Sequence, residues 1–172
     1  MRTIAIIGGG FAGTMAAVNL ARFSSHAIKI VLIHSGSRMG RGIAYGTQRR
    51  EHLLNVAARN MSAFPDQPEH FVNWLRTRAE YSDVPLEQLR QEFVPRMVYG
   101  DYVCAVSLLV LEAPRADAKV EVVRIQDEAI DIDDNDGIKI ALASGDKVSA
   151  DAVILATGNQ PPAHLAMNPS LH

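Results

Sequence analysis

The first 33 residues constrain the fold most, because a glycine-rich segment stands between two short apolar runs. The runs Thr3 to Ile7 and Ile28 to Ile33 are rich in β-branched residues, as expected for strands buried on both faces of a parallel sheet. Between them, Phe11 to Phe23 has the composition of a helix that ends at Ser24. A strand, a helix and a second strand in so short a stretch predict a right-handed βαβ crossover.

The glycines between the first strand and the helix follow the pattern G-x-G-x-x-G. Gly8 allows a tight turn, Gly10 lets the backbone approach a pyrophosphate, and Gly13 allows close packing of helix on strand. The helix N-terminus, at Phe11 and Ala12, supplies N–H donors and a positive dipole to the phosphates. We therefore predict that this segment binds a dinucleotide.

The end of the second strand lacks the usual acidic residue. His34 occupies that place and is followed by Ser35. A carboxylate there would accept hydrogen bonds from the ribose hydroxyls, and His34 or Ser35 can replace it with weaker bonds. Arg38 and Arg41 follow closely, so a 2′-phosphate site for NADP is an open alternative. In a third interpretation, His34 merely ends the strand.

The middle of the chain is less regular. Residues 35–62 show neither helical nor strand periodicity, and a loop of that length is either functional or wrongly assigned. Three helices are predicted beyond it, over Pro68 to Ala79, Leu86 to Phe93 and Arg96 to Ala113.

The last third of the chain is rich in strand patterns. The predicted strands are Lys119 to Ile125, Glu128 to Asp133, Ile138 to Leu142, Lys147 to Ala150 and Ala152 to Ala156. The fold class is therefore α/β: a Rossmann-like parallel sheet with helices on both faces and a small antiparallel β-meander before the last strand. We expect the domain to cover residues 1–158. Residues 159–172, rich in proline, are expected to be a linker or tail that leads to a missing C-terminal region.

Composition excludes several classes of function. A formal net charge of −2 provides no basic field for nucleic acid. No apolar run is long enough for a membrane span or a signal peptide, so we expect a cytoplasmic protein without membrane contact. The single cysteine, Cys104, excludes an intrachain disulfide, and the scattered histidines do not have the spacing of a metal site. No catalytic side chain can be assigned from the sequence.

Five blocks of sequence, in order along nearly the whole chain, carry a family resemblance. They are Ile6 to Gly13, Gly40 to Gly46, His52 to Val56 with Met61 and Ser62, Arg96 to Tyr102, and Ala156 to Asn159. The chain resembles the FAD/NAD(P)-binding proteins related to bacterial N-hydroxylating flavin monooxygenases. The resemblance implies the FAD-binding domain of a flavin-dependent oxidoreductase, with monooxygenase as one class. It implies NADP(H) as a possible electron donor in a longer form. His34 is the main departure from the family pattern.

The resemblance also implies that the loop from Gly40 to Val56 wraps the flavin side of the cofactor. The residues concerned are Arg41, Gly42, Tyr45, Leu54, Asn55 and Val56. Arg41 would offset pyrophosphate charge. Alternatives stay open: Arg41 as a solvated charge, Tyr45 as a core aromatic, and Asn55 as a residue that orders its own loop.

Two further segments are expected near the cofactor. Ala156, Thr157 and Gly158 end a buried strand at the carboxyl edge of the sheet, where ligands bind in open α/β folds. By the resemblance, Ile125 would flank the adenine through its backbone, although ordinary sheet core is an equal alternative. Two other functions stay open, an NADP-binding reductase domain and a non-enzymatic flavin-binding module.

Overall fold

The computed structural model describes residues 1–36, 38–113 and 119–159. In chain order the elements are β1 (Arg2–Ile7), α1 (Phe11–Phe23), β2 (Ile28–Ile33), α2 (Gly42–Tyr45), a 3₁₀ turn (Ala58–Asn60), α3 (His70–Arg76), α4 (Leu86–Gln91), α5 (Arg96–Leu111), β3 (Val120–Ile125), β4 (Ala129–Asp133), β5 (Ile138–Leu142), β6 (Lys147–Ala150) and β7 (Ala152–Leu155). None of the described helices has the length and apolar character needed to cross a membrane.

Four parallel strands form the central sheet in the order β3-β2-β1-β7. In the register of this sheet Ile4 of β1 lies opposite Ile30 of β2 on one side and Ala152 of β7 on the other. Strands β4, β5 and β6 form a separate antiparallel sheet. Because β1 lies between β2 and β7, the segments that follow these three strands meet at one edge of the sheet.

The two faces of the parallel sheet have different covers. Ile6, Ile30 and Leu32 are buried in one cluster with residues of α1, α3 and α5. Ala5, Ile7, Val31 and Ile33 alternate with them along the strands and pack on the other face against Ile140 and Leu142 of β5. The antiparallel sheet thus uses its own apolar face to cover the parallel one.

The α/β fold class is confirmed, and one detail of it is corrected. Among the described residues, helices cover one face of the sheet and the β-meander covers the other, rather than helices on both. The physical reason is that β5 alternates with Ile140 and Leu142 on one side, and these side chains are removed from water only when the meander packs on the sheet.

The strand predictions agree with the structure to within one residue. The loop differs, and the three helices predicted beyond it are longer than those observed, by two residues at the C-terminal end for α4 and α5. The α3 helix is shorter than predicted at both ends, because turn hydrogen bonds replace the helical ones there. The N–H groups of Gln67 and His70 make such bonds before it, and those of Thr77 and Arg78 make them after it. The long loop contains α2 and a 3₁₀ turn, which no periodicity had indicated. Residues 160–172 of the predicted tail lie outside the described residues, so the domain boundary at 158 stays a prediction.

Candidate functional site

The glycine turn joins β1, α1 and β7 at close quarters. Gly8 has a φ of +112°, and its N–H donates to the Ile33 carbonyl at 2.8 Å. A Cβ on Gly13 would lie 1.9 Å from the Gly8 oxygen and 3.1 Å from the Ala156 Cβ. The turn therefore requires both a left-handed residue at Gly8 and an absent side chain at Gly13.

Within the described residues, the first turn of α1 has N–H donors without a capping side chain. Gly10 is the N-cap in an extended conformation, no side chain caps the helix, and the first turn holds no acidic residue. The N–H groups of Phe11 and Ala12 at this terminus are among the donors that an α-helix cannot satisfy internally. Together with the helix dipole, they form an environment that favours an anion.

The segment after β2 returns across the glycine turn. The Gly40 N–H donates to the Gly9 carbonyl at 2.8 Å, and a Cβ on Gly10 would lie 3.5 Å from the Gly42 Cα. From the sequence we expect the backbone at Gly10 to approach a pyrophosphate. In the structure the backbone of Gly42 lies close to Gly10, so that α2 forms the second wall of a cleft.

This cleft has a volume of about 520 Å³ and lies beyond the carboxyl ends of β1 and β7. It is lined by backbone-rich segments: Gly8, Gly9, Gly10, Phe11, Ala12, His34, Ser35, Gly36, Arg38, Arg41, Gly42, Ile43, Ala44, Tyr45, Ala156, Thr157, Gly158 and Asn159. A second cavity of about 500 Å³ shares His34, Arg38 and Arg41 with the cleft and continues towards α5 and β3. The cleft thus has one end beside His34 and another beside β7.

Arg41 lies where the two cavities meet. Its side chain is only 11% exposed and forms an ion pair with Asp101, while Nη1 donates to the Met97 carbonyl at 3.3 Å. Its Nε is buried and has no hydrogen-bond partner within the described residues. A solvated surface charge does not fit this burial. The guanidinium is fixed by α5 and keeps one donor unsatisfied.

Tyr45 combines the two roles that the sequence left open. Its ring lies 5.5 Å from that of Phe11 and 4.7 Å from that of Tyr99, measured between centroids, so it packs with the core aromatics. It also lines the cleft. Burial raises the pKa of the Tyr45 phenol, and the Arg96 guanidinium opposes that shift. The phenol is therefore protonated at neutral pH and can donate a hydrogen bond.

The comparison with protein families decides the assignment. A family model described as FAD-NAD(P)-binding matches residues 5–160, nearly the whole chain. The chain belongs to the FAD-NAD(P)-binding family. No match was found among curated proteins.

Solved structures of larger proteins share the fold of this FAD-NAD(P)-binding domain. A steroid monooxygenase bound to NADP aligns with a TM-score of 0.53 and 17% identity, over 92% of this chain and 26% of that one. The S-allyl-L-cysteine S-oxygenase from Allium sativum aligns with a TM-score of 0.53 and 17% identity, over 90% of this chain and 36% of that one. FqzB aligns with a TM-score of 0.52 and 11% identity, over 91% of this chain and 36% of that one. At these identities the likeness establishes the fold alone. The chain spans about a third of the length of such structures.

The cleft of the FAD-NAD(P)-binding domain brings together most of the residues predicted to bind the cofactor. Those that line it are Gly8, Gly10, Phe11, Ala12, His34, Ser35, Arg41, Gly42, Tyr45, Ala156, Thr157 and Gly158. Gly13 lies behind the turn as a packing residue. The sequence missed Gly9, Gly36, Ile43, Ala44 and Asn159, each of which is adjacent to a predicted residue.

The other predicted residues do not line the cleft. Leu54 is buried in the core, and its N–H donates to the Val94 carbonyl at 2.9 Å. Asn55 and Val56 are exposed beside it. Ile125 packs under the meander, and its carbonyl accepts from the His34 N–H at 3.0 Å. Contacts of these four residues with a cofactor stay predictions.

Proposed function

We propose that this chain binds FAD and is the cofactor domain of a flavin-dependent oxidoreductase, with monooxygenase as its class. When bound, the flavin supplies the electron-transfer chemistry, while the protein binds and orients it. Residues 159–172 would then lead to the regions that hold an electron donor and a substrate.

One observation carries the proposal. The cleft places an uncapped helix N-terminus and a buried, partly unsatisfied arginine on the same glycine-rich cradle. The pyrophosphate of a dinucleotide needs N–H donors, a positive field and close backbone approach, and the cradle supplies all three. Arg41 would use Nε toward the phosphates, because Asp101 and the Met97 carbonyl engage its other nitrogens.

The two ends of the cleft would hold the two halves of the cofactor. In folds of this kind the ribose next to the pyrophosphate lies at the end of the second strand, which here is His34. The reactive ring would then lie at the opposite end, between Ile43, Ala44 and the segment from Thr157 to Asn159.

NADP is the second candidate, and a specific observation favours it. Arg38 is exposed at the ribose end and has no ion-pair partner in the described part of the chain, and no carboxylate is present at position 34 to repel a 2′-phosphate. Against it, Arg41 is already paired with Asp101 and is less available to a second phosphate.

Direct titration separates the two cofactors. We expect FAD to bind the purified chain saturably, measured by quenching of flavin fluorescence, and an equal concentration of NADPH to leave that binding unchanged. A chain that binds NADPH more tightly than FAD would support the reductase interpretation instead.

His34→Glu tests the ribose end. We expect it to keep or raise FAD affinity, because a carboxylate accepts ribose hydroxyl bonds better than an imidazole. A hydrogen bond to a charged group contributes about 1.5–3 kcal/mol, against about 0.5–1.5 kcal/mol for a neutral pair, so the gain is expected to be up to about tenfold. The same change should weaken any NADPH binding through repulsion of the 2′-phosphate. Calorimetric titration of both ligands measures this. Loss of FAD affinity in a folded His34→Glu protein would contradict the ribose assignment.

A further inference from the structure

A smaller cavity adjoins the cleft on the far side of α2. It has a volume of about 320 Å³ and is lined by Ile43, Ala44, Thr47, His52, Leu53 and Arg96; we refer to it as the Arg96 cavity. Ile43 and Ala44 line both this cavity and the cleft. They therefore form a wall that the cleft and the Arg96 cavity share.

The backbone holds the polar residues of the Arg96 cavity in fixed positions. The Arg96 N–H donates to the His52 carbonyl at 2.8 Å, and the Leu54 N–H donates to the Val94 carbonyl at 2.9 Å. Leu53 and Pro95 form an antiparallel bridge between these two bonds. A site with its side chains on such a paired framework is already organised before a ligand arrives.

Arg96 has a positive charge that the described part of the chain leaves unpaired. Its Nε donates to the Leu53 carbonyl at 3.0 Å. Among the described residues, no ion pair of Arg96 with a carboxylate is found. Arg96 is moreover the first residue of α5, where the helix dipole disfavours a cation. An anion in the cavity would offset both effects.

His52 provides a second oriented group. Its Nδ1 lies 2.8 Å from the Thr47 hydroxyl oxygen, which already accepts the Arg49 N–H at 3.2 Å. The contact with the Thr47 hydroxyl orients the imidazole ring through Nδ1. The ring is thereby held in one orientation on the wall of the cavity.

The remaining lining is apolar and exposed to solvent. Ile43 is 80% exposed and Leu53 is 47% exposed, although both are large aliphatic side chains. Such side chains beside a few oriented polar groups are typical of a small-molecule site. The ligand that fits this lining has one negative group and a short apolar part.

We propose that the Arg96 cavity binds a small aliphatic carboxylic acid, and that such acids are the substrate class of the enzyme. The planar guanidinium of Arg96 matches the two oxygens of a carboxylate, whereas the apolar part packs on Ile43 and Leu53. This inference rests on the proposed function, since the reactive end of the cofactor must lie across the wall formed by Ile43 and Ala44. The acid would then be bound next to the flavin.

Nuclear magnetic resonance of the His52 ring tests the cavity with isovalerate as the probe. We expect isovalerate to shift the His52 ring signals saturably, in both the free and the FAD-loaded chain. Isovaleramide has the same shape without the charge and should cause no shift. Equal shifts with the amide, or no shift with the acid, would overturn the proposal.

Variants identify the group that holds the charge. Arg96→Gln is expected to weaken isovalerate binding at least about tenfold, or about 1.4 kcal/mol. Arg49→Gln removes an equal charge from the loop that contains Thr47 and His52 and should have no effect. Arg96→Lys keeps the charge but loses the planar guanidinium, so its affinity for isovalerate should lie between those of the parent chain and of Arg96→Gln. If Arg96→Gln does not fold, the loss of affinity in Arg96→Lys tests the site. Equal losses for Arg96→Gln and Arg49→Gln would overturn the site.

The same samples separate the two proposals. Arg96 does not line the cleft, so Arg96→Gln should retain the FAD affinity of the parent chain. Failure of the parent chain to bind FAD would refute the proposed function and leave isovalerate binding to be judged by itself. FAD binding without any response to isovalerate would refute only the proposal that the Arg96 cavity binds a carboxylic acid.

Discussion

Gly13→Ala is expected to lower the melting temperature by about 10 °C or to prevent folding. The added Cβ would lie 1.9 Å from the Gly8 carbonyl oxygen and 3.1 Å from the Ala156 Cβ. Both neighbours belong to the turn and strand end that frame the cleft, so neither can move without opening β1 from β7 or α1. Overpacking of this kind costs about 3 kcal/mol or more, and each kcal/mol corresponds to roughly 2–4 °C in a domain of this size.

Gly36→Ala is the matched control for this effect. A Cβ at Gly36 meets no atom within 4 Å, so the same chemical change is expected to leave the melting temperature within about 1 °C, as at most surface positions. Thermal unfolding followed by circular dichroism measures both variants. A stable Gly13→Ala protein would mean that helix and strand do not pack through this glycine.

The glycine turn and the strands could be predicted from the sequence because their determinants are local. Gly8, Gly10 and Gly13 are spaced by the geometry of one turn, and the apolar runs of β1 and β2 reflect burial on both faces. The same reasoning recovered the carboxyl-edge position of Ala156 to Gly158, since parallel strands end at a common edge.

The features that the sequence did not reveal depend on contacts between distant residues. The α2 helix has four residues, which is too short for any periodicity. It is held by the packing of the Tyr45 ring on Tyr99 and by close approach to Gly100, where a Cβ would lie 2.6 Å from the Tyr45 carbonyl oxygen. Likewise, Arg41 and Asp101 are separated by 60 positions. The strands of the meander could be predicted from their sequence pattern. That pattern did not indicate that the meander would cover one face of the parallel sheet.

The three glycines of the G-x-G-x-x-G motif have different roles. Gly8 and Gly13 are required by the fold, because a side chain at either would contact backbone at about 2 Å. Gly10 has backbone angles that any residue adopts, and an added Cβ would make only ordinary van der Waals contacts, so the fold does not require glycine there. A glycine that the fold does not need, at the N-cap of α1, is the position where a ligand is expected to need the space.

Gly10→Val is therefore expected to reduce FAD affinity by at least about a hundredfold, or about 2.7 kcal/mol, while the fold survives. Gly10 has φ −70° and ψ −170°, which any L-residue adopts, and its Cβ would lie 3.5 Å from the Gly42 Cα, an ordinary contact. The two γ-methyl groups of valine, however, would extend between the turn and α2. That is the space in which the pyrophosphate is expected to approach the backbone.

A graded series makes the steric origin of the effect measurable. Gly10→Ala adds only the Cβ and should lose less affinity than Gly10→Val, with both melting temperatures close to that of the parent chain. Flavin fluorescence titration gives the affinities, and circular dichroism confirms the fold. Unchanged FAD affinity in a folded Gly10→Val protein would refute the placement of the pyrophosphate on the glycine turn, because no rearrangement of side chains can vacate space that the valine itself fills.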